Sequence, residues 1–290
     1  MSSAMSTAVL ITHTHPEEIG DSIRTVSESA EAASVELVAT ADAHAKLGDA
    51  AAGIGAVDEL PERPDLCLVL GGDGSILYAM RQYAGTGVPV FGINFGTIGF
   101  LAATEREHLD QGLKRAFAGE FEVVPMPGLE IGAEVEIPLG LNDVSFARSR
   151  QGRVAELSYR VAGEEVGSVR CDGLVAATPA GSTGYNLANG GPILAWGVEG
   201  FVVSFIAPHT LTARALVVAP EDVLLVENAA GREPVEVSVD GVHAMDLGTG
   251  EALEVRFRDG VGSLAELPGA TFYHRMREKF GRLAGSRPLG

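Results

Sequence analysis

Over the first 120 residues, short apolar runs alternate with segments of helical spacing. Ala8-Val-Leu-Ile11 and Val35-Glu-Leu-Val38 read as strands. Between them Ile19, Ile23, Val26, Ala30 and Ala33 step by four and three behind Pro16, a residue that suits the first turn of a helix. Ala43 to Ala51 carries a weaker helical pattern. Asp65-Leu-Cys-Leu-Val-Leu70 is short and apolar enough for a buried strand; glycines and a helix ending near Tyr83 follow it. Val88-Pro-Val-Phe-Gly-Ile-Asn94 is a further strand, and Leu109, Leu113 and Phe117 place a helix that closes this region near residue 119. Strands and helices in alternation predict an α/β domain over residues 1–119.

From Phe121 to about Pro268 the period changes to two. Pro234-Val-Glu-Val-Ser-Val-Asp240 and Ala252-Leu-Glu-Val-Arg-Phe257 are clear alternations, with turn residues between such runs. An all-β, sandwich-like domain over 120–268 is the expectation. The segment 269–290 is basic and helix-like, with Phe272, Met276, Lys279 and Leu283 at helical spacing. It is expected to pack back on the first domain or on a partner.

Composition narrows the functional class. A hydrophobic content of 46% and 37 glycines fit a globular chain. The longest apolar run, Phe201 to Ala207, is too short to cross a bilayer. No basic residue precedes Arg24, so a signal peptide is not expected and a cytoplasmic location is. Cys67 and Cys171 lie in apolar segments and read as buried thiols in a reducing compartment. A net charge of −18 argues against nucleic acid or an anionic membrane as partner. Lysine occurs only at 46, 114 and 279, a balance that fits either a salt-rich cytoplasm or a genome favouring arginine codons.

The chemistry concentrates at strand ends. Gly71-Gly72-Asp73-Gly74-Ser75 joins a strand to a helix, a geometry in which backbone N–H groups and the helix dipole hold phosphate. A carboxylate inside such a turn repels the ligand unless it accepts a proton from an attacking hydroxyl or holds Mg²⁺; capping the helix is the plain structural alternative. Asn94-Phe-Gly-Thr-Ile-Gly-Phe100 is a second glycine turn, so Gly72, Gly74, Ser75 and Asn94 are candidates to line one crevice. Neither Gly-x-x-x-x-Gly-Lys-Ser/Thr nor the dinucleotide fingerprint Gly-x-Gly-x-x-Gly fits these turns. Thr12-His-Thr-His15 is a loop before it is a metal site, and no dedicated metal-ligand cluster is evident. In the second half, Asn142-Asp143 and Gly181-Ser182-Thr183-Gly184-Tyr185 offer small polar groups. Arg148, Arg150, Arg153, Arg160 and Arg170 gather cations that serve either phosphate or neighbouring carboxylates.

Taken together and in order, four blocks resemble the NAD kinase family: Gly71 to Ser75, Gly92 to Leu101, Asn142-Asp143, and Asp172 to Tyr185 with Gly190-Gly-Pro192. Ala207 to Leu216 and Val239-Asp-Gly241 extend the likeness. It implies a Rossmann-like first domain completed by the C-terminal helix, a β-sandwich-like NAD-binding domain, and assembly as homodimers or homotetramers. The implied reaction transfers the ATP γ-phosphoryl group to the 2′-hydroxyl of the adenosine ribose of NAD, giving NADP, with a divalent cation, most simply Mg²⁺. Inorganic polyphosphate is an alternative donor. By the same resemblance Asp73 is the base, Asn142 and Asp143 hold the ribose and adenine side, and Asp172 serves the nicotinamide side from a neighbouring subunit. Thr183, Gly184, Tyr185, Asn186, Leu187 and Ala188 line the dinucleotide, and Arg153 and Arg170 match basic positions. The chain departs from the family pattern at Ser75 (usually Thr), Tyr78 (often basic), Asp143 (usually Glu), Gly184 (usually Ala) and Val242 (often Gln). Rival readings are a lipid or sugar kinase on the same first domain, and a non-catalytic dinucleotide sensor.

Overall fold

The computed structural model describes residues 5–12, 16–96, 99–149, 154–229 and 233–281, and the chain divides into two compact units. The first comprises residues 1–125 and 262–290. Its strands β1 (Thr7–Thr12), β2 (Glu36–Thr40), β3 (Gly55–Val57), β4 (Leu66–Gly71) and β5 (Val90–Asn94) lie in the order β3-β2-β1-β4-β5, all parallel. A two-residue strand, β6 (Thr104–Glu105), pairs with the end of β5. Every residue of β4 and β5 is buried, as expected for strands covered on both faces.

Helices supply that cover. In α1 (Pro16–Ala32) Ile19, Ile23, Val26 and Ala30 of the predicted stripe are buried with Leu10 of β1 and Leu37 of β2, while Ala33 lies past the helix end and is exposed. Each buried Ile, Val or Leu side chain contributes about 1.5–3 kcal/mol by leaving water. Helix α2 (Ala41–Leu47) starts where the Thr40 hydroxyl accepts from Ala43 N at 3.3 Å, and a 3-10 turn, Gly48–Ala51, follows. Helix α3 (Asp73–Gln82) buries Ile76, Leu77, Ala79 and Met80, and α4 (Leu109–Phe117) buries Leu109, Leu113, Ala116 and Phe117. From β1 the chain moves outward through β2 and β3, then returns to β4 on the other flank. The sheet order therefore reverses between β1 and β4, and in open parallel sheets ligands gather outside the carboxyl ends of strands at such a reversal.

The second unit, residues 126–261, is antiparallel. After β7 (Glu122–Ile131) and β8 (Leu139–Gly140) come β9 (Asp143–Arg148), β10 (Ala155–Val161), β11 (Glu164–Cys171), β12 (Gly173–Ala177), β13 (Phe201–Ile206) and β14 (Leu216–Val218). Strands β15 (Leu224–Asn228), β16 (Val235–Val239), β17 (Val242–Leu247) and β18 (Ala252–Glu266) complete it, with a one-turn helix α5 (Tyr185–Ala188) between β12 and β13. One sheet runs β14-β13-β12-β9-β16-β17, and β11-β10-β15-β18 forms a second. Inward residues of both, among them Phe146, Leu174, Val203 and Val237 from one and Leu157, Val169, Val226 and Val255 from the other, make a single core. The outer face of β12 and β13 buries Val175, Ala177 and Val202 with Leu194.

The end of β18 belongs to unit one, where Leu264 pairs in parallel with Val90 of β5. Helix α6 (Phe272–Phe280) follows, with Thr271 Oγ1 accepting from His274 N at 3.2 Å. The expected boundaries at 119/120 and 268/269 stand near helix ends. The chain crosses between units at Pro125/Met126 and Val261/Gly262, inside two long strands, β7 and β18, and the proline and glycines there interrupt neither strand. The 3-10 turn, α5 and the short strands β3 and β6 carry too few residues to show a period. His13, His15, Arg150, Arg153 and Leu283 lie outside the described residues.

Cys67 and Cys171 are free and fully buried, and burial pushes both thiols up, Cys171 to about 11. A thiol reagent such as Ellman's should therefore titrate neither group in the folded protein at pH 8 and both in denaturant.

Candidate active site

At the carboxyl end of β4, Gly72 caps α3 with its backbone: its carbonyl accepts from Ser75 N and Ile76 N at 3.0 and 3.2 Å. Asp73 is the first residue of that helix. Its carboxylate turns back and accepts two backbone N–H groups from the turn after β5, Phe100 N at 2.8 Å and Leu101 N at 3.1 Å. Gly99 is a steric requirement here, since a Cβ at that position would lie 2.8 Å from Asp73 Oδ1. Burial raises the Asp73 carboxyl above its ordinary value; the two N–H bonds and the nearby charges of Arg275 and Lys279 pull the other way without cancelling the rise. A half-buried carboxylate with an elevated proton affinity, at a helix start that favours anions, is suited to take a proton.

Asn94 anchors the other side of this turn. Its Oδ1 accepts from Gly96 N at 2.9 Å, and its Nδ2 donates to Glu105 at 2.7 Å. Glu105 also accepts from Lys279 at 2.9 Å. Burial works against the Glu105 charge, but the bonds from Lys279 and Asn94 outweigh it and hold the carboxyl below its usual range. Arg106 lies over the Phe95 ring, 5.1 Å from its centroid.

Unit two gathers a second cluster around the start of β9. Asp240 and Gly241 form the two-residue loop between β16 and β17, both with positive φ (47° and 76°). That turn aims the Asp240 carboxylate at three successive amides, Leu141 N, Asn142 N and Asp143 N, at 2.9, 2.7 and 3.1 Å. Thr178 ties the same stretch to the loop after β12: its N donates to Asn142 O at 2.9 Å and its hydroxyl to Leu141 O at 2.7 Å. Gly181 then passes so close that a Cβ would meet Asn142 O at 2.0 Å. Burial, followed by the charge of Asp240, pushes the Asp143 carboxyl up to about 7.

Most expected residues of this block fall together. Asn142 and Asp143 adjoin the Thr178–Gly181 bend, and Thr183, Gly184, Tyr185, Leu187 and Ala188 stand on the turn that follows, with Gly184, Tyr185 and Ala188 exposed. The Tyr185 hydroxyl is raised by burial and by the charges of Asp143 and Asp172. Asn186 differs from its neighbours: it is fully buried, and its Nδ2 donates to Ser182 O and Pro192 O, both at 2.9 Å, so its amide pins the Gly190-Gly-Pro192 turn. Asp172 bonds to Arg148 Nε at 2.8 Å, while Arg170 is exposed and pairs across the sheet with Glu156. Glu105 and Arg275 carried no signal in the sequence; Lys279 showed as a cation on a helical stripe, and Asp240 only within the Val239-Asp-Gly241 block of the family resemblance.

A parallel sheet with a carboxylate-bearing glycine turn at its reversal, joined to a β-sandwich, defines a nucleotide-type phosphotransferase. Residues 11–121 match the ATP-NAD kinase N-terminal domain and residues 141–262 the ATP-NAD kinase C-terminal domain. The NAD kinase of Gemmatimonas aurantiaca is 37% identical over 223 residues, covering 75% of this chain and 77% of that one. The NAD kinase of Carboxydothermus hydrogenoformans is 35% identical over 231 residues, 78% and 82% of the two chains. This chain belongs to the NAD kinase family. In fold it is similar to yeast NADH kinase complexed with NADH, at a TM-score of 0.82 and 21% identity, over 100% of this chain and 91% of that one. It is likewise similar to an Archaeoglobus fulgidus NAD kinase in complex with ATP, at 0.73 and 24%, over 95% and 97%.

An ionised Asp143 is costly to bury, so its contribution to stability falls as pH rises from the unfolded value of 3.8 through about 7. Asp143→Asn removes that dependence. Its melting temperature should gain on the wild type between about pH 4 and pH 7 in thermal melts and level off above, and a constant difference across that range would refute the assignment.

Proposed function

We propose that the chain phosphorylates the 2′-hydroxyl of the adenosine ribose of NAD, using ATP. One observation carries the reading: Asp73, with its carboxyl raised by burial, stands at a helix start built for phosphate and is fixed by two backbone amides. The attacking hydroxyl gives its proton to Asp73, its oxygen bonds the γ-phosphorus, and the bond to the bridging oxygen breaks to release ADP. The first N–H groups of α3 and the Asn94 turn receive phosphate oxygens, so positioning rather than covalent chemistry does the catalysis. Asn142 and Asp143 hold the ribose and adenine, Thr183 to Ala188 line the dinucleotide, and Arg153 and Arg170 add positive charge.

Among the described residues no three His, Cys, Asp or Glu side chains converge on one point. We infer a magnesium ion that would arrive on the triphosphate, held mainly by phosphate and water. Bound so, it neutralises charge on the transferring group. In the assembled enzyme, a homodimer or homotetramer, Asp172 serves the nicotinamide side of a neighbour's dinucleotide. No helix among the described residues is long and apolar enough to span a membrane, and we place the enzyme in the cytoplasm.

Two substitutions test this. Asp73→Asn should reduce NADP formation from NAD, ATP and Mg²⁺ by about 10²- to 10⁴-fold while NAD still binds by calorimetry; wild-type turnover would remove Asp73 from the mechanism. Gly181→Ala forces the bend away from Asn142, and it should weaken NAD at least about tenfold, or about 1.4 kcal/mol, with the far-ultraviolet spectrum unchanged. Undiminished affinity would detach this bend from the dinucleotide.

A further inference from the structure

Helix α6 is the last described element of unit one, and its side chains reach the turn that holds Asp73. Arg275 is 7% exposed, and its guanidinium donates to three acceptors: the carbonyls of Phe100 (3.1 Å) and Ala102, and the carboxylate of Glu266 in β18, itself 3% exposed. Phe100 and Leu101 are the residues whose amides bind the Asp73 carboxylate, so Arg275 grips by its carbonyls the strip of backbone that grips Asp73 by its N–H groups. One turn further along α6, Lys279 bonds Glu105, which holds the Asn94 amide at the other end of the turn. The Phe280 and Phe100 rings also meet, 5.2 Å between centroids.

A buried guanidinium is costly to place, and apolar pairs of similar volume often serve packing as well or better. What this arrangement provides is a fixed direction for two backbone amides. Burial raises the Glu266 carboxyl while Arg275 opposes the rise, so the pair is held by each member's need of the other.

We propose that Arg275 is a positioning residue for phosphoryl transfer: by fixing the Phe100–Ala102 backbone it orients the Asp73 carboxylate, and Glu266 orients Arg275. The inference rests on the reading of Asp73 as the base. The charged groups facing Asp73 are Arg275 and Lys279 of α6, each paired to a carboxylate, Glu266 of β18 and Glu105 of β6. Removing the Arg275 cation therefore favours the protonated form of Asp73, and the acid limb of the rate profile moves to higher pH.

The test measures kcat, both KM values and the pH profile of kcat/KM for Arg275→Lys, Arg275→Met, the pair Arg275→Met with Glu266→Met, and Asp73→Asn. The double variant leaves no buried charge unpaired, so it reports even where the single one does not fold. For Arg275→Met and the double variant we expect kcat to fall about 10- to 100-fold, the loss that follows a small misplacement of a catalytic group. Both KM values should stay within about twofold, and the acid limb should shift upward. Arg275→Lys keeps a charge but not the fork, so its kcat should fall with the limb in place. A folded double variant with wild-type kcat and an unmoved acid limb overturns the positioning role; if Asp73→Asn is inactive in the same assay, the reading of Asp73 survives. Full turnover by Asp73→Asn overturns both.

Discussion

The hydrogen bonds that the Phe100 and Leu101 amides donate to the Asp73 carboxylate are the constraint on which the carboxyl ends of β4 and β5 depend. It joins the start of one helix to the turn beyond the neighbouring strand, and it sets conditions on both. Residue 99 has to be glycine to let the carboxylate in, and Gly92 has to leave room for Ile76, whose methyl group a Cβ would approach to 2.3 Å. The bond also sets the chemistry. Two N–H donors hold the carboxylate still while burial keeps its affinity for a proton high, so orientation and basicity come from one arrangement.

Unit two uses the same device in a different place. Asp240 accepts three amides in a row, and a tight turn of two left-handed residues supplies the aim. In both clusters a carboxylate holds backbone, and the backbone presents other groups. The difference lies in charge. Asp73 is balanced by cations from α6, whereas Asp240 raises the carboxyl of Asp143 beside it, so unit two carries its own electrostatic tension.

Much of this was legible in the chain. Strand, glycine turn and helix around Asp73 showed as a change of period at fixed offsets, and four of the five positions of the α1 stripe are buried as expected, the fifth, Ala33, lying past the helix end. Asn94 and the Gly181–Tyr185 turn were visible because small residues and glycines crowd there, whereas Asn186, Leu187 and Ala188 entered only through the family resemblance. The partners were not visible. Arg275 meets Phe100 across 175 positions and Asp240 meets Asn142 across 98, and no local pattern encodes such pairs. Asn186 looked like its exposed neighbours because a single turn of helix has no period from which to infer a face.

The placement of β18 and α6 sets an order of events during synthesis. Unit one begins the chain, but the strand that pairs with Val90 and the helix that steadies the Asp73 turn come only after all of unit two has been made. At ordinary translation rates that interval is about 7 to 30 seconds, during which the Val90 end of β5 is an open strand edge of the kind that invites stray pairing. The unit that emerges first from the ribosome is thus the last to be finished, and a nascent chain fixes the turn around Asp73 only as α6 docks.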